Sequence, residues 1–515
     1  MPKWIEDAVF YEIYPQSFND TNADGIGDFQ GIIEKLDYIK ELGCNAIWMN
    51  PCFKSHFHDA GYDVEDYYTV APRYGTNEDL VRLFKEAHKR DMHVLLDLVP
   101  GHTAIEHEWF RESVKPEKNE FTDRFVWTDN VWITPSDMRW LQGISDRNGS
   151  VAVNFFSTQP ALNYGFYQPN PEQKWQQSYD APGPKATREA IKDIMRFWLQ
   201  CGADGFRVDM AGSLVKGDDE ASHGTIKLWQ EFRAFLDEEF PEAALISEWG
   251  EPDKSLEGGF HMDFLLHFGP SHYNDLFRCD EPYFSSRGKG TAKEFVETYK
   301  KNYGKTGGKG LICIPSGNHD MDRLAKRLTP EEMKVAFAFL LSMPGAPFIY
   351  YGDEIGLRYV DGLDSVEGGF HRTGSRSPMQ WDKSVNAGFS TARPDKLYIP
   401  LDSAKDRPDA ESQMADEHSL YAQVKKLIAF RGEHPALHNT SAVRFLDVAG
   451  EYPLVYERSC EEEKILVVIN PSSTACDVQA DVPVEDVIYT VGGKASVSGS
   501  TVHVDGATAA FVKVK

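Results

Sequence analysis

Gly205-Phe-Arg-Val-Asp209 is the stretch on which the fold turns. A short run suited to a buried strand closes on a carboxylate, and the arginine two positions earlier leaves the same side of the extended backbone. A guanidinium placed there holds the carboxylate ionised and oriented. Similar β-rich runs recur on both sides: Val9 to Tyr14, Ala46 to Met49, His93 to Leu98, Leu245 to Ile246, Phe264 to His267, Leu311 to Ile314 and Phe348 to Tyr350. Helical patterns separate them, and Ile226, Trp229, Phe232, Leu236 and Phe240 fall three or four apart before Pro241 stops the period. Such alternation favours a closed parallel (β/α)8 barrel, while periodicity alone leaves a doubly wound sheet open.

About 105 residues separate Leu98 from Gly205, far more than a crossover helix and two short loops require. We expect an inserted domain over 101–183, ending at the turn-rich Asp180-Ala-Pro-Gly-Pro184. The barrel then occupies 1–100 and 184–440, with a helix from about His418 to Gly432. From 441 to 515, runs such as Leu466-Val-Val-Ile469 and Val487-Ile-Tyr-Thr-Val491 alternate with turn residues, which predicts a C-terminal antiparallel β-sandwich domain.

The chain has 515 residues, 41% of them hydrophobic, within the range of folded globular proteins. Its net charge of −26 repels phosphate backbones and anionic membranes, so no nucleic acid or membrane partner is expected. Gly and Pro interrupt the most apolar window, Val335 to Tyr351, and the acidic N-terminus lacks a secretory signal. These features point to a cytoplasmic protein. The seven cysteines form no CxxC pair and read as buried thiols.

Carboxylates cluster at the ends of the runs. Asp97 lies within Asp97-Leu-Val-Pro-Gly-His102, Asp209 closes the fourth run, Glu248 stands beside an indole in Ile246-Ser-Glu-Trp249, and Asn318-His-Asp320 follows the seventh. Taken singly, Arg207 and Asp209 fit a structural ion pair, and His102 or His319 a hydrogen-bonded core histidine. In a parallel barrel all these ends open on one face, where the active sites of such barrels lie. Two carboxyls facing one another across a cleft, one ionised and one protonated, are what cleavage of a glycosidic bond needs.

On these residues the sequence resembles the α-amylase family, glycoside hydrolase family 13, over nearly its full length. Gln159-Pro-Ala-Leu-Asn163, Phe348-Ile-Tyr-Tyr-Gly-Asp-Glu354 and Arg376-Ser-Pro-Met-Gln-Trp381 resemble the branch of oligo-1,6-glucosidases, α-glucosidases and trehalose synthases. The resemblance implies Asp209 as nucleophile, Glu248 as general acid and base, and Asp320 as a sugar-binding carboxylate, with His102, Arg207 and His319 in support. It also implies retention of configuration, with the two reacting carboxyls about 5–5.5 Å apart. Within Gly61-Tyr62-Asp63, Tyr62 resembles the family's sugar-stacking tyrosine, and Asp63 its pocket-closing aspartate, expected to pair with Arg376. Met210 stands where α-1,6 enzymes of the branch carry valine, which favours α-1,4 linkages. The activity so implied is exo-hydrolysis of short gluco-oligosaccharides, with a trehalose synthase or other transglycosylase, or an endo-amylase, as alternatives on the same scaffold. A catalytically inert binding subunit is disfavoured by the intact triad.

Asp20-Thr-Asn22-Ala-Asp24-Gly-Ile26-Gly-Asp28 carries oxygen donors at alternate positions, the ligand type that calcium prefers. It resembles the branch's single-cation loop, implying a structural Ca2+ on Asp20, Asn22, Asp24, Asp28 and the Ile26 carbonyl. Gly101 replaces the asparagine that helps bind calcium in typical α-amylases, so none is expected there. Ala161 departs from an aspartate common in the inserted-domain motif. Oligomeric state has no signature in the sequence.

Overall fold

The short runs form one parallel sheet. Its strands are β1 (Phe10–Ile13), β2 (Ala46–Met49), β3 (His93–Leu98), β4 (Gly205–Val208), β5 (Ala244–Ser247), β6 (Met262–Phe264), β7 (Leu311–Cys313) and β8 (Phe348–Tyr350) in a computed structural model that describes residues 1–448 and 450–515. Neighbours follow chain order from β1 to β7, and β8 pairs with β1 at Phe10↔Phe348. A bridge between Pro315 and Phe348 brings β7 against β8, and Ser316 N donates to the Phe348 carbonyl at 2.9 Å. Contact between β7 and β8, the two edges of this sheet, closes it into a barrel and removes the doubly wound alternative. Aromatic rings fill the interior, Phe10 on Phe348 at 4.3 Å and Phe264 on Phe348 at 4.7 Å, as expected of a packed barrel core.

The sixth strand departs from its expected position. The apolar run Phe264 to His267 reads as a strand, but the paired residues are Met262↔Ile246 and Asp263↔Ser247. Asp263 is completely buried inside the strand, and a carboxylate there hides the strand from a search for apolar runs.

Helix α1 (Pro182–Cys201) precedes β4, and α2 (His223–Glu239) follows it. Trp229, Phe232 and Leu236 of α2 are buried, as their spacing predicts, while Ile226 and Phe240 are only partly covered. Within Asp180 to Pro184, the residues Pro182, Gly183 and Pro184 already form the first turn of α1, because proline in a first helical turn forfeits no helical hydrogen bond. Between β3 and α1, Val126, Ala152, Ala161, Phe166 and Trp175 form a small core of their own beside the ladder Arg139–Gln142 with Ser150–Val153.

Beyond β8, the polar stretch carries 3-10 turns, including Phe370–Ser375, before α3 (Leu420–Glu433) packs against the barrel wall. The last residues form a five-stranded and a three-stranded antiparallel sheet, and Val455, Leu466, Val478, Val502 and Val512 from both sheets meet in one core. No helix among the described residues is long and apolar enough to cross a membrane.

Candidate active site

The strand ends open on a cavity of about 490 Å³, within the range of small-molecule sites. Asp209, Glu248, Asp320, Tyr62 and His102 line it. Arg207, His319 and Arg376 lie behind the wall, each almost wholly buried. Asp209 and Glu248 each follow directly on a strand, so the barrel register fixes them: Asp209 N donates to the Leu98 carbonyl and Glu248 N to the Val208 carbonyl, both at 2.9 Å.

Arg207 links the carboxylates. Its Nη1 lies 2.9 Å from Asp97 Oδ1 and 3.3 Å from Asp209 Oδ1, while Nη2 lies 2.9 Å from Glu248 Oε2. One guanidinium touching both Asp209 and Glu248 sets them side by side. Burial and the neighbouring Glu248 charge push the Asp209 carboxyl well up, while Arg207 pulls it down. Met210, between β4 and the following turn, has a left-handed backbone at φ 44° and sends its N–H to Glu248 Oε2 at 3.1 Å. Such a conformation costs about 1 kcal/mol or more for a residue with a Cβ, and here it aims a donor at the Glu248 carboxyl.

Beneath the cavity a chain of hydrogen bonds runs through the barrel. Tyr62 OH lies 3.0 Å from Asp97 Oδ2 and 2.7 Å from His319 Nε2, and its ring stacks on the imidazole at 5.4 Å. Trp48 Nε1 donates to Asp97 Oδ2 at 3.0 Å. His319 Nδ1 faces Glu12 Oε1 at 2.9 Å, deep in the interior. Burial pushes the Asp97 carboxyl up to about 6 against the pull of Arg207, and pushes the His319 imidazole well down. Asp320 differs: burial works against its charge, yet His319, Arg372 and Arg376 together hold its carboxyl far below the usual range. Arg372 Nη1 lies 2.5 Å and Arg376 Nη2 3.0 Å from Asp320 Oδ1.

His102 has both ring nitrogens engaged, Nε2 on the Tyr62 carbonyl at 2.9 Å and Nδ1 on Asn154 Nδ2 at 3.2 Å. The carbonyl requires a proton on Nε2, and burial keeps the ring neutral by lowering its pKa to about 4. The Asn154 amide also accounts for Gly101: a Cβ there would come within 2.7 Å of Asn154 Nδ2. An amide from the inserted segment therefore occupies the space beside Gly101.

Asp63 and Arg376 do not meet. Asp63 is completely buried and accepts the His58 and Asp59 N–H groups at 3.0 Å each, so it braces the turn. Arg376 holds Asp320 from behind and donates through Nε to the His319 carbonyl at 2.8 Å. The carboxylate that reaches the cavity is Asp59, with Gln159 Nε2 at 2.8 Å and Arg372 Nη2 at 3.7 Å. Burial pushes its pKa up to about 6. Asp59 and Arg372 were the residues missed; the signal for the first was a second aspartate four positions before Asp63 across Ala60 and Gly61, both with positive φ. The outer part of the cavity is lined by Phe155, Met210, Trp249 and Phe268.

In the acidic loop, Asp20 Oδ1 accepts from Asn22 N, Asn22 Oδ1 from Asp24 N and Asp24 Oδ1 from Ile26 N, at 2.8–3.0 Å. Asp28 caps the helix Phe29–Glu34 and also takes Thr21 N and Oγ1. Among the described residues no three His, Cys, Asp or Glu side chains gather as a metal site. The donors have the chemistry calcium prefers, and Asp28 lies close enough to Asp20 for the two charges to act on one another.

A closed parallel barrel whose strand ends gather paired carboxyls around an arginine is the frame of an enzyme that cleaves or transfers glycosyl groups. Residues 12–440 match the α-amylase catalytic domain, and the chain belongs to the α-amylase family. It is 31% identical over 507 residues to trehalose synthase/amylase TreS of Mycolicibacterium smegmatis, covering 88% of this chain and 79% of that one. It is 30% identical over 543 residues to oligo-1,6-glucosidase of Parageobacillus thermoglucosidasius, covering 91% and 90%. The structure of the trehalulose synthase MutB from Pseudomonas mesoacidophila superposes over the whole of both chains with a TM-score of 0.83 at 27% identity. The protein is thus a glycoside hydrolase or transglycosylase acting on oligosaccharides.

Proposed function

We propose that the protein is a retaining, exo-acting α-glucosidase that releases glucose from the non-reducing end of short α-1,4-linked oligosaccharides. The observation that carries the exo reading is the cluster at one end of the cavity, where Gln159 and Arg372 both contact Asp59 and Arg372 also pairs with Asp320, an arrangement that supports an end closed to a continuing chain. In this reading Asp209 attacks the anomeric carbon while Glu248 protonates the departing oxygen, and Glu248 then takes a proton from water to release the sugar. The adjacency of the two carboxyls supports retention, since inverting enzymes hold theirs about 6.5–9.5 Å apart around a water. Met210 at the cavity wall, in place of valine, supports α-1,4 linkages. Arg372 is the one lysine or arginine among the lining residues, and it is already paired with Asp320, which favours neutral sugars over phosphorylated ones.

The trehalose synthase relatives favour a second reading, in which the glycosyl-enzyme passes to a sugar instead of water. Incubation with maltose, with products resolved against glucose, trehalose, isomaltose and maltotriose, separates the two. Glucose alone supports hydrolysis; trehalose or longer sugars support transfer.

Arg372→Ala opens the closed end. We expect KM for maltose to rise about 10–100-fold, the worth of one or two charge-assisted hydrogen bonds, with Tm little changed. An unchanged KM would remove the exo assignment.

A structural Ca2+ on the Asp20–Asp28 loop belongs to the same proposal, supported by donor chemistry alone. Calcium is expected to raise Tm by several degrees over the same protein in chelator, as mass-action stabilisation requires. Equal melting curves would remove the ion.

A further inference from the structure

Glu248 is held by more than its strand. Its side chain turns into the cavity, so Ser247 before it faces the outer side of the barrel wall, toward Ser255 of the helix Pro252–Glu257 at 2.5 Å. Directly opposite Ser247 in the register stands Asp263 of β6. Phe264 next to it packs inward on Trp48 and Phe348, so Asp263 also faces outward, into the layer between sheet and helix.

In that layer a single oxygen, Asp263 Oδ1, accepts three hydrogen bonds: from Ser247 Oγ at 2.7 Å, Trp249 N at 3.1 Å and Gly250 N at 3.3 Å. These donors flank Glu248 on both sides. Neither Trp249 N nor Gly250 N donates to a backbone carbonyl among the described residues, so the carboxyl is what satisfies them. Gly250 has φ +77°, and the turn it makes has no helix or strand pattern to fix it. The other oxygen, Oδ2, is buried with no partner. A carboxyl so placed is expensive to bury, and burial pushes it up to about 7. Protonated or not, Oδ1 keeps its lone pairs for the same three donors.

We propose that Asp263 is a positioning residue, whose Oδ1 fixes the turn after β5 and thereby aims the Glu248 carboxyl at the bond being cleaved. This rests on the reading of Glu248 as general acid. In the step that forms the glucosyl-enzyme, which kcat/KM reports, an anchor of the acid matters only when the leaving group needs a proton. Maltose needs one. In α-D-glucosyl fluoride the C–F bond breaks with fluoride keeping the electron pair, while an Asp209 oxygen forms the new bond to the anomeric carbon, so no proton from Glu248 is required.

The test is kcat/KM on both substrates. Asp263→Val suits a strand but removes the acceptor, and is expected to lower kcat/KM on maltose about 30-fold or more, with a change under about threefold on the fluoride. Asp263→Asn keeps an acceptor oxygen and is expected to hold the wild-type ratio of the two substrates to within about threefold. Equal falls on both substrates, or a wild-type ratio in Asp263→Val, would overturn the proposal, because a structural role alone changes the amount of active enzyme and not the ratio. If Asp263→Val does not fold, Asp263→Ala is read in the same way. Failure of the underlying reading looks different: Glu248→Gln would then leave maltose turnover unchanged in otherwise wild-type protein.

Discussion

Asp209→Asn is expected to lower kcat on maltose by on the order of 10⁵-fold, about 7 kcal/mol of activation free energy, without unfolding the protein. The side chain keeps nearly the same shape, and its contact with Arg207 at 3.3 Å is the longest of that guanidinium's three carboxylate contacts. Little packing is therefore lost. What disappears is the bond-forming oxygen, so the fluoride should fall as far as maltose. Glu248→Gln gives the contrast: maltose falls about 10³–10⁴-fold, while the glycosylation step on the fluoride persists and glucosyl-enzyme accumulates. Mass spectrometry of the quenched Glu248→Gln protein checks this directly. An adduct on Asp209 establishes its role as nucleophile, and an adduct on another carboxylate would reassign it.

The parts of this site that were legible share a physical cause. Asp97, Asp209 and Glu248 each stand within or at the end of a short apolar run, and a charge that terminates a buried strand has few structural uses. Asp320 stood out beside His319 for the same reason. The closed end of the cavity was not legible, because both of its ion-pairing partners come from irregular backbone. Asp59 and Asp63 lie in one turn and are chemically alike, and only the fold shows that Asp63 spends both oxygens on the turn's own N–H groups. Arg372, on the 3-10 segment Phe370–Ser375, and Arg376, which caps its end, sit four residues apart and both reach Asp320, so spacing gave no means of deciding which of them enters the cavity. β6 was misplaced by two residues because its buried carboxylate broke the apolar pattern, and the start of α1 was taken for a loop because proline and glycine signal turns more often than first helical turns.

Arg207→Met should produce the largest loss of stability of any substitution at this site. The guanidinium is almost wholly buried, contacts three carboxylates and lies 4.8 Å above the Trp48 ring. Methionine fills part of the volume but leaves Asp97, Asp209 and Glu248 without a counter-charge, and stranding buried partners of an ion pair costs about 3–5 kcal/mol near neutral pH. The pH dependence has a definite sign. Burial already pushes Asp97 up to about 6 and raises Asp209, and in both cases Arg207 is a force pulling the other way. Without it both carboxyls move further up, so the folded state binds protons that the unfolded chain, with carboxyls near 4, releases. Folded-state pKa values above the unfolded ones mean stability that is fully present below about pH 4 and lost as pH rises through 6 and beyond. The Tm difference between Arg207→Met and the parent should therefore be small at pH 5 and widen steadily to pH 8, measured by calorimetry at fixed ionic strength. Arg207→Lys retains the charge but presents one ammonium where three carboxylates converge, and should fall between the two. A difference independent of pH would mean that Arg207 stabilises the barrel through its packing on Trp48 rather than by holding these carboxylates ionised.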